Sequence, residues 1–257
     1  MPLDIRLMPA LRDNYVFLVH DPEEGVTAVV DPAEEAPVLA ALDAAGWGLD
    51  LILNTHHHPD HVGANRSLKL RFGLTVVGPA ADRDRIPGID VAVGTGDTAA
   101  VGAAVARVYD VPGHTRGHIA YWFEADAAVF VGDTLFAGGC GRMFEGTPAQ
   151  FWTSLDLLRG LPDETRVFCA HEYTAANLRF AVTVDGDNAA LRRRVAEVAA
   201  TRAAGAPTVP STIGVEKATN PFLRCDRPEV AAAVGLPRGS PAAVFGAVRA
   251  AKDGFRG

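Results

Sequence analysis

Apolar residues along the first two thirds of the chain gather in short runs, each closed by polar or turn-forming residues. NYVFLVH (14–20) and VTAVVD (26–31) are rich in Val and Phe and of strand length. The acidic turn DPEEG between them predicts a hairpin. EEAPVLAALDAAG (34–46) reads as a helix closed by Gly46. DLILNT (50–55) is an apolar run of strand length, and ANRSLKLRFG (64–73) reads as a helix ending at Gly73. Further strands are predicted at 74–77, 98–101, 103–111, 119–124 and 127–132, then a helix over 148–159 and the strand TRVFCA (165–170). Beyond residue 171 the pattern turns helical, with Ala- and Arg-rich segments at 173–182, 187–204, 227–234 and 241–253. GAPTVPSTIG (205–214) reads as a loop between two of them. The pattern therefore predicts two domains: a mixed α/β part over 1–172 and a helical part over 173–257. It contains no internal repeat at solenoid spacing.

Composition narrows the function classes. The chain of 257 residues is 48% hydrophobic and 21% charged, an ordinary globular mixture. A net charge of −7 argues against a broad nucleic-acid surface, which needs clustered Lys and Arg. No run approaches the roughly 18 apolar residues of a membrane helix, so no membrane partner is expected. The start, MPLDIRLMPALRDNYVF, lacks a basic segment followed by an apolar one, and no secretory signal is expected. Cys140, Cys169 and Cys225 are odd in number and form no CxxC pair. They predict neither a disulfide framework nor a thiolate zinc site, and point to a soluble chain in a reducing cytoplasm.

The candidate chemistry sits directly behind the run at 50–55. Four of the eight histidines fall in THHHPDH (55–61), where His56, His58, Asp60 and His61 form an HxHxDH pattern stiffened by Pro59. In an extended loop alternate residues point to one side, so His56 and His58 can reach one ion. Asp60 and His61 follow the turn and can face a neighbouring one. Zn²⁺ usually takes at least three protein ligands, so others must come from elsewhere. His114, Asp133 and His171 each follow an apolar strand directly, and strand ends position side chains rigidly.

THHHPDH, GHT (113–115), GDT (132–134) and the strand-end His171 occur in the order and at the spacing of the metallo-β-lactamase superfamily, which the chain resembles. The resemblance implies a four-layer αββα sandwich, with a first metal on His56, His58 and His114. A second metal would sit on Asp60, His61 and His171, with Asp133 bridging both. Nitrogen and oxygen donors suit two divalent ions, zinc first and iron or manganese as alternatives. Class B β-lactamases of the commonest type have Cys where this chain has Asp133. The carboxylate points instead to hydrolases with a two-metal site.

GGCGRMFEGT (138–147), HEYTAANLRFA (171–181), NPFLR (220–224) and AVRAAKD (247–253) extend the likeness over essentially the whole length, to the glyoxalase II (hydroxyacylglutathione hydrolase) family. That resemblance implies hydrolysis of S-(2-hydroxyacyl)glutathione, chiefly S-D-lactoylglutathione, to glutathione and D-lactate, the second step of methylglyoxal detoxification. A metal-bridging hydroxide would attack the thioester, with Asp133, Asp60 and His61 as the catalytic set. Arg142, Phe144, Tyr173, Arg249 and Lys252 would hold the glutathione portion. Arg and Lys suit its two carboxylates, and Arg249 and Lys252, three apart, can share a helix face. Some members carry Lys and Tyr at the positions of Arg142 and Phe144, so Phe144 removes one hydroxyl contact. A monomer is expected.

The rival readings are a glutathione persulfide dioxygenase of the same fold with mononuclear iron, a phosphodiesterase or RNA-processing nuclease, and a non-catalytic binding protein. Of the remaining residues, His57 and His118 read as structural or as neighbours orienting the ligands, and His20 as a surface residue. Asp31 reads equally as a helix cap or as a ligand-orienting group. Arg192–Arg193–Arg194 reads as a solvated helix face, GTGD (94–97) as a turn, and Cys140 as packing.

Overall fold

The computed structural model describes all residues, 1–257. Its backbone forms two compact units: Met1–Asp110 with Arg116–Gly132, and Val111–Thr115 with Asp133–Gly257. No helix is long and apolar enough to cross a membrane.

In the first unit, strands β1 (Asp4–Ala10), β2 (Asn14–Asp21), β3 (Val26–Val30), β4 (Leu51–Leu53), β5 (Thr75–Pro79) and β6 (Val91–Val93) form one sheet in chain order. The first three pair antiparallel through tight turns. From β3 onward the pairing is parallel, which requires crossovers. Helix α1 (Glu35–Ala45) makes the first of these, ending at Gly46 with φ 70°. Helices α2 (Pro59–Val62) and α3 (Asn65–Phe72) make the next. Strands β7 (Thr98–Val101), β8 (Ala104–Asp110), β9 (Ile119–Phe123) and β10 (Ala128–Gly132) form an antiparallel meander.

Strand alternation divides the core of this unit. Val16 and Leu18 of β2 join Val29, Ile52 and Val76, and pack against Val38, Leu42 and Leu68 of the helices. Phe17, between them in sequence, points to the other face, where its ring meets Phe130 of β10 edge-on at 5.6 Å. The two sheets thus face each other, with helices on the outer side of the first.

The second unit opens after β10 with a two-residue hairpin, β11 (Leu135–Phe136) and β12 (Gly139–Cys140). Helix α4 (Pro148–Arg159) starts on a capping box of Thr147 and Gln150. Strand β13 (Arg166–Cys169) pairs antiparallel with β14 (Ser211–Thr212). Helices α5 (Thr174–Val184), α6 (Ala189–Ala203), α7 (Ile213–Thr219), α8 (Pro228–Ala233) and α9 (Pro241–Gly254) complete it. Phe151 of α4 and Phe245 of α9 meet at 5.2 Å, and Phe222 lies 6.0 Å from Phe245, giving this unit an aromatic core.

The structure departs from the sequence reading in several places. The segment read as a loop, 205–214, contains β14 and the start of α7. Arg194 does not lie on a solvated face. Buried, it pairs with Glu216 and donates to Thr219 Oγ1 at 2.6 Å and Ser211 Oγ at 3.1 Å, while Arg192 and Arg193 stay exposed. His20 is buried rather than superficial, stacked on Trp47 at 4.0 Å and bonded to Thr27 Oγ1 at 2.9 Å. All three cysteines are buried and unbridged. Burial pushes the Cys140 thiol up to about 11 and the Cys169 thiol up to about 12, and raises that of Cys225 as well.

Candidate metal centre

Of the seven predicted ligands, His56, His58, Asp60 and His61 belong to the first unit and His114, Asp133 and His171 to the second.

In the first unit the chain leaves β4 and is caught at once by Asp31, which sits just past β3 with φ 49°. Asp31 Oδ1 accepts the Thr55 amide at 2.7 Å, and Oδ2 accepts the Thr55 hydroxyl at 2.7 Å. His61 Nδ1 also bonds Asp31 Oδ2, at 3.1 Å. Helix α1 starts after Glu34, so Asp31 orients this loop and does not cap the helix. The bonds also set tautomers. Thr55 gives its one hydroxyl proton to Asp31, so His56 Nδ1, 3.1 Å from Thr55 Oγ1, must be the donor there. His56 Nε2 is left as an acceptor facing His58 Nδ1 at 3.0 Å. By the same logic His61 donates through Nδ1 and turns its Nε2 lone pair toward Asp60 Oδ2 at 3.6 Å. Asn14 Nδ2 donates to Asp60 Oδ2 at 3.0 Å and holds that carboxylate in place. Ligand atoms of the buried Asp31, His56 and His61 lie within 4.8 Å of one another.

The two spare histidines support the loop. His118, fully buried, stacks on His56 at 4.6 Å. Gly132, with φ 47°, leaves room for it: a Cβ there would lie 2.2 Å from Thr55 Oγ1 and 2.8 Å from His118 Nε2. His57 packs edge-on against His58 at 4.8 Å and bonds buried Asp82 Oδ2 at 2.9 Å.

The second unit supplies a matching group. His114 Nδ1 donates to the Arg142 carbonyl at 2.8 Å, which leaves Nε2 as an acceptor 3.3 Å from Asp133 Oδ2. His171 Nε2 lies 3.4 Å from Asp133 Oδ1, so the carboxylate reaches one imidazole with each oxygen. Gly141 permits this packing, because a Cβ there would sit 2.0 Å from the Asp133 carbonyl oxygen.

Lone pairs facing carboxylate oxygens repel unless a cation stands between them. Donors around a tetrahedral zinc at its usual bond lengths are about 3.3 Å apart, the spacing seen here. The imidazole and carboxylate donors therefore fit divalent metal ions, and the bonds through Nδ1 are those expected behind metal-bound histidines.

The predicted substrate residues all fall in the second unit. The Phe144 ring is 60% exposed and lies 5.2 Å from His114. Tyr173 stacks parallel on His171 at 4.8 Å and is partly exposed. Arg142 is exposed. Arg249 and Lys252 turn into the protein. Arg249 is 4% exposed and donates to the Cys140 and Gly141 carbonyls at 3.1 and 3.3 Å and to Asp253 at 2.9 Å. Lys252 Nζ donates to the Ala176 carbonyl at 3.1 Å and lies 5.4 Å from the Phe180 ring. Burial, with Arg249 and Arg179 nearby, brings its pKa down to about 8. Sequence reasoning missed Asn14 and Thr55, whose roles depend on contacts that spacing does not reveal.

Comparison with known proteins agrees with this geometry. Residues 10–171 match the model of the metallo-β-lactamase superfamily, and 172–255 match that of the hydroxyacylglutathione hydrolase C-terminus. The αββα fold is that of the superfamily, and the chain's histidine–aspartate groups could hold a metal ion. Within it, the chain belongs to the hydroxyacylglutathione hydrolase family. A protein of that name from Methylococcus capsulatus is 60% identical over 99% of this chain and 100% of its own length. One from Synechococcus is 57% identical over 96% of this chain and 98% of its own. Among solved structures, ETHE1 from Myxococcus xanthus aligns with a TM-score of 0.67 at 27% identity, over 98% of both chains. TTHA1623, solved in a di-iron-bound form, aligns with a TM-score of 0.59 at 27% identity, over 84% of this chain and 98% of its own.

Proposed function

We propose that this chain hydrolyses the thioester of S-(2-hydroxyacyl)glutathione, S-D-lactoylglutathione above all, releasing glutathione and a 2-hydroxy acid. The observation that carries the reading is the full-length likeness to hydroxyacylglutathione hydrolases, helical part included, on a chain whose histidine and aspartate side chains are oriented in a way that suits metal binding. Following the family pattern, His56, His58 and His114 would hold one ion and Asp60, His61 and His171 another, with Asp133 shared. The di-iron form of TTHA1623 supports a pair of ions, and zinc, iron and manganese all suit these donors. Such a pair, when bound, supplies an activated water and an electrophile for the thioester carbonyl.

The chain's own residues do the rest. Asp31, Thr55 and the Arg142 carbonyl fix imidazole tautomers, so that Nε2 of His56, His61 and His114 presents a lone pair. Arg142 and Lys252 attract the carboxylates of glutathione, while Phe144 and Tyr173 offer ring faces beside His114 and His171. Arg249 serves from beneath, holding the carbonyls that precede Arg142. The leaving group is a thiolate whose conjugate acid has a pKa of about 8.5, so departure needs no general acid. In this reading residues 1–172 carry the metal chemistry and 173–257 the substrate grip, in a cytoplasmic monomer.

The test is hydrolysis of S-D-lactoylglutathione with and without a chelator, together with metal analysis. Turnover abolished by the chelator and restored by zinc supports the reading. Oxygen consumption on glutathione persulfide with one iron per chain would replace it with the dioxygenase.

A further inference from the structure

Asp133 and the Arg142 carbonyl that orients His114 lie just before and just after the β11–β12 hairpin. The ring of Phe136, on the same hairpin, meets His171 edge-on at 5.7 Å. The placing of this hairpin therefore bears on His114, Asp133 and His171 at once. Its strands are two residues each, too short to hold themselves. Side chains from the helical segments hold its turn instead. Asn177 of α5 donates to the Ala137 carbonyl at 3.2 Å. Asn220, just past α7, donates to the Phe136 and Gly139 carbonyls at 3.2 and 2.9 Å. Glu216 of α7 accepts the Gly138 amide at 2.8 Å and the Asn220 side chain at 2.9 Å, both on Oε2. Its Oε1 takes Arg194 and Ser211.

Glu216 and Asn220 are both fully buried. A buried ion pair is a poor source of stability, since an apolar pair of similar volume often does as well. What the carboxylate supplies here is acceptor capacity on both sides, one oxygen for Arg194 and Ser211 and one for the hairpin. We propose that Glu216 is a positioning residue: its carboxylate, anchored by Arg194, holds the turn at 136–139 so that His114, Asp133 and His171 keep the spacing a metal ion needs. The assignment rests on the metal-centre reading, and it gives Asn220 and Asn177 supporting parts in the same clamp. All three act through the backbone of the hairpin.

Glu216→Gln turns one oxygen into an NH₂ group. Arg194 offers donors only, so the remaining oxygen turns to it and the NH₂ group faces the Gly138 amide, donor against donor. Zinc affinity, measured by competition with a chelator, is expected to fall about tenfold. Hydrogen exchange at the Gly138 amide, followed in the metal-free protein, is expected to quicken about tenfold. Adding Arg194→Met frees the Gln oxygen to return to Gly138, and both readings are expected back within about twofold of wild type. Arg194→Met with Glu216→Met removes the charges and the acceptor together, and is expected to stay weak for zinc and fast in exchange. Beside the Gln double variant it carries the test even if Glu216→Gln alone does not fold. Wild-type zinc affinity in the variants that lack the acceptor overturns the positioning role while the metal reading stands. So does weak affinity in the Gln double variant with Gly138 protected again. A wild type that takes up no zinc overturns the metal reading and the positioning role together.

Discussion

The guanidinium of Arg249 donates through Nη1 to the carbonyl of Cys140 at 3.1 Å, from inside the helical unit. Arg249, expected to face the substrate together with Lys252, instead braces the segment that carries Arg142. Removing this side chain strands the buried Cys140 and Gly141 carbonyls, at a cost of about 2 kcal/mol. Arg249→Ala is therefore expected to lower the melting temperature by about 5 °C as well as raising KM. An unchanged melting curve with a raised KM would assign Arg249 to substrate alone.

Asp31 bonds the proposed ligand His61 without being among the seven itself. Its carboxylate takes the Thr55 amide, the Thr55 hydroxyl and His61 Nδ1. In Asp31→Asn one of these acceptors becomes a donor, and the tautomers of His56 and His61 lose their anchor. Metal affinity, measured by competition with a chromogenic chelator, is expected to fall by about 10- to 100-fold. Affinity equal to wild type would return Asp31 to a purely local role in the turn.

Asp133 reaches two imidazoles, His114 and His171, one with each carboxylate oxygen. With the proposed pair of ions, Asp133→Ala is expected to cost about one metal equivalent and nearly all turnover. Metal analysis beside single-turnover kinetics checks both halves. Full loading with lost activity would mean that the carboxylate serves chemistry and not binding.

Lys252 is cationic below about pH 8 and neutral above it, because burial and the neighbouring Arg249 and Arg179 disfavour its charge. In its proposed role, its attraction for a substrate carboxylate would be present at pH 7 and lost by pH 9. KM of the wild type relative to Lys252→Ala should therefore be lowest near neutrality and converge on the variant's value as pH rises through 8. A KM ratio constant across that range would remove Lys252 from the binding surface.

The residues legible in the sequence were those whose neighbours along the chain reveal them. The run at 50–55 ends abruptly in histidines, and His114, Asp133 and His171 each follow a strand, so the candidate ligands could be picked out before their contacts were known. Strand β1, DIRLMPA, escaped because an edge strand tolerates Asp, Arg and Pro that a central strand would not. Arg194 looked like its exposed neighbours; only the fold shows Glu216 waiting for it. Asp31 was open to two readings, and the choice came from Thr55, 24 residues away. For Arg249 and Lys252 the helical spacing gave a shared face, but nothing along α9 tells which way that face turns.

The three shielded sulfurs matter for an enzyme whose product is itself a thiol. Glutathione and its oxidised dimer attack or cap exposed thiolates, and a catalyst working among them would gather mixed disulfides. Here each sulfhydryl is shut in and keeps its proton at neutral pH. Exposure to oxidised glutathione is accordingly expected to leave the three thiols unmodified and the activity unchanged.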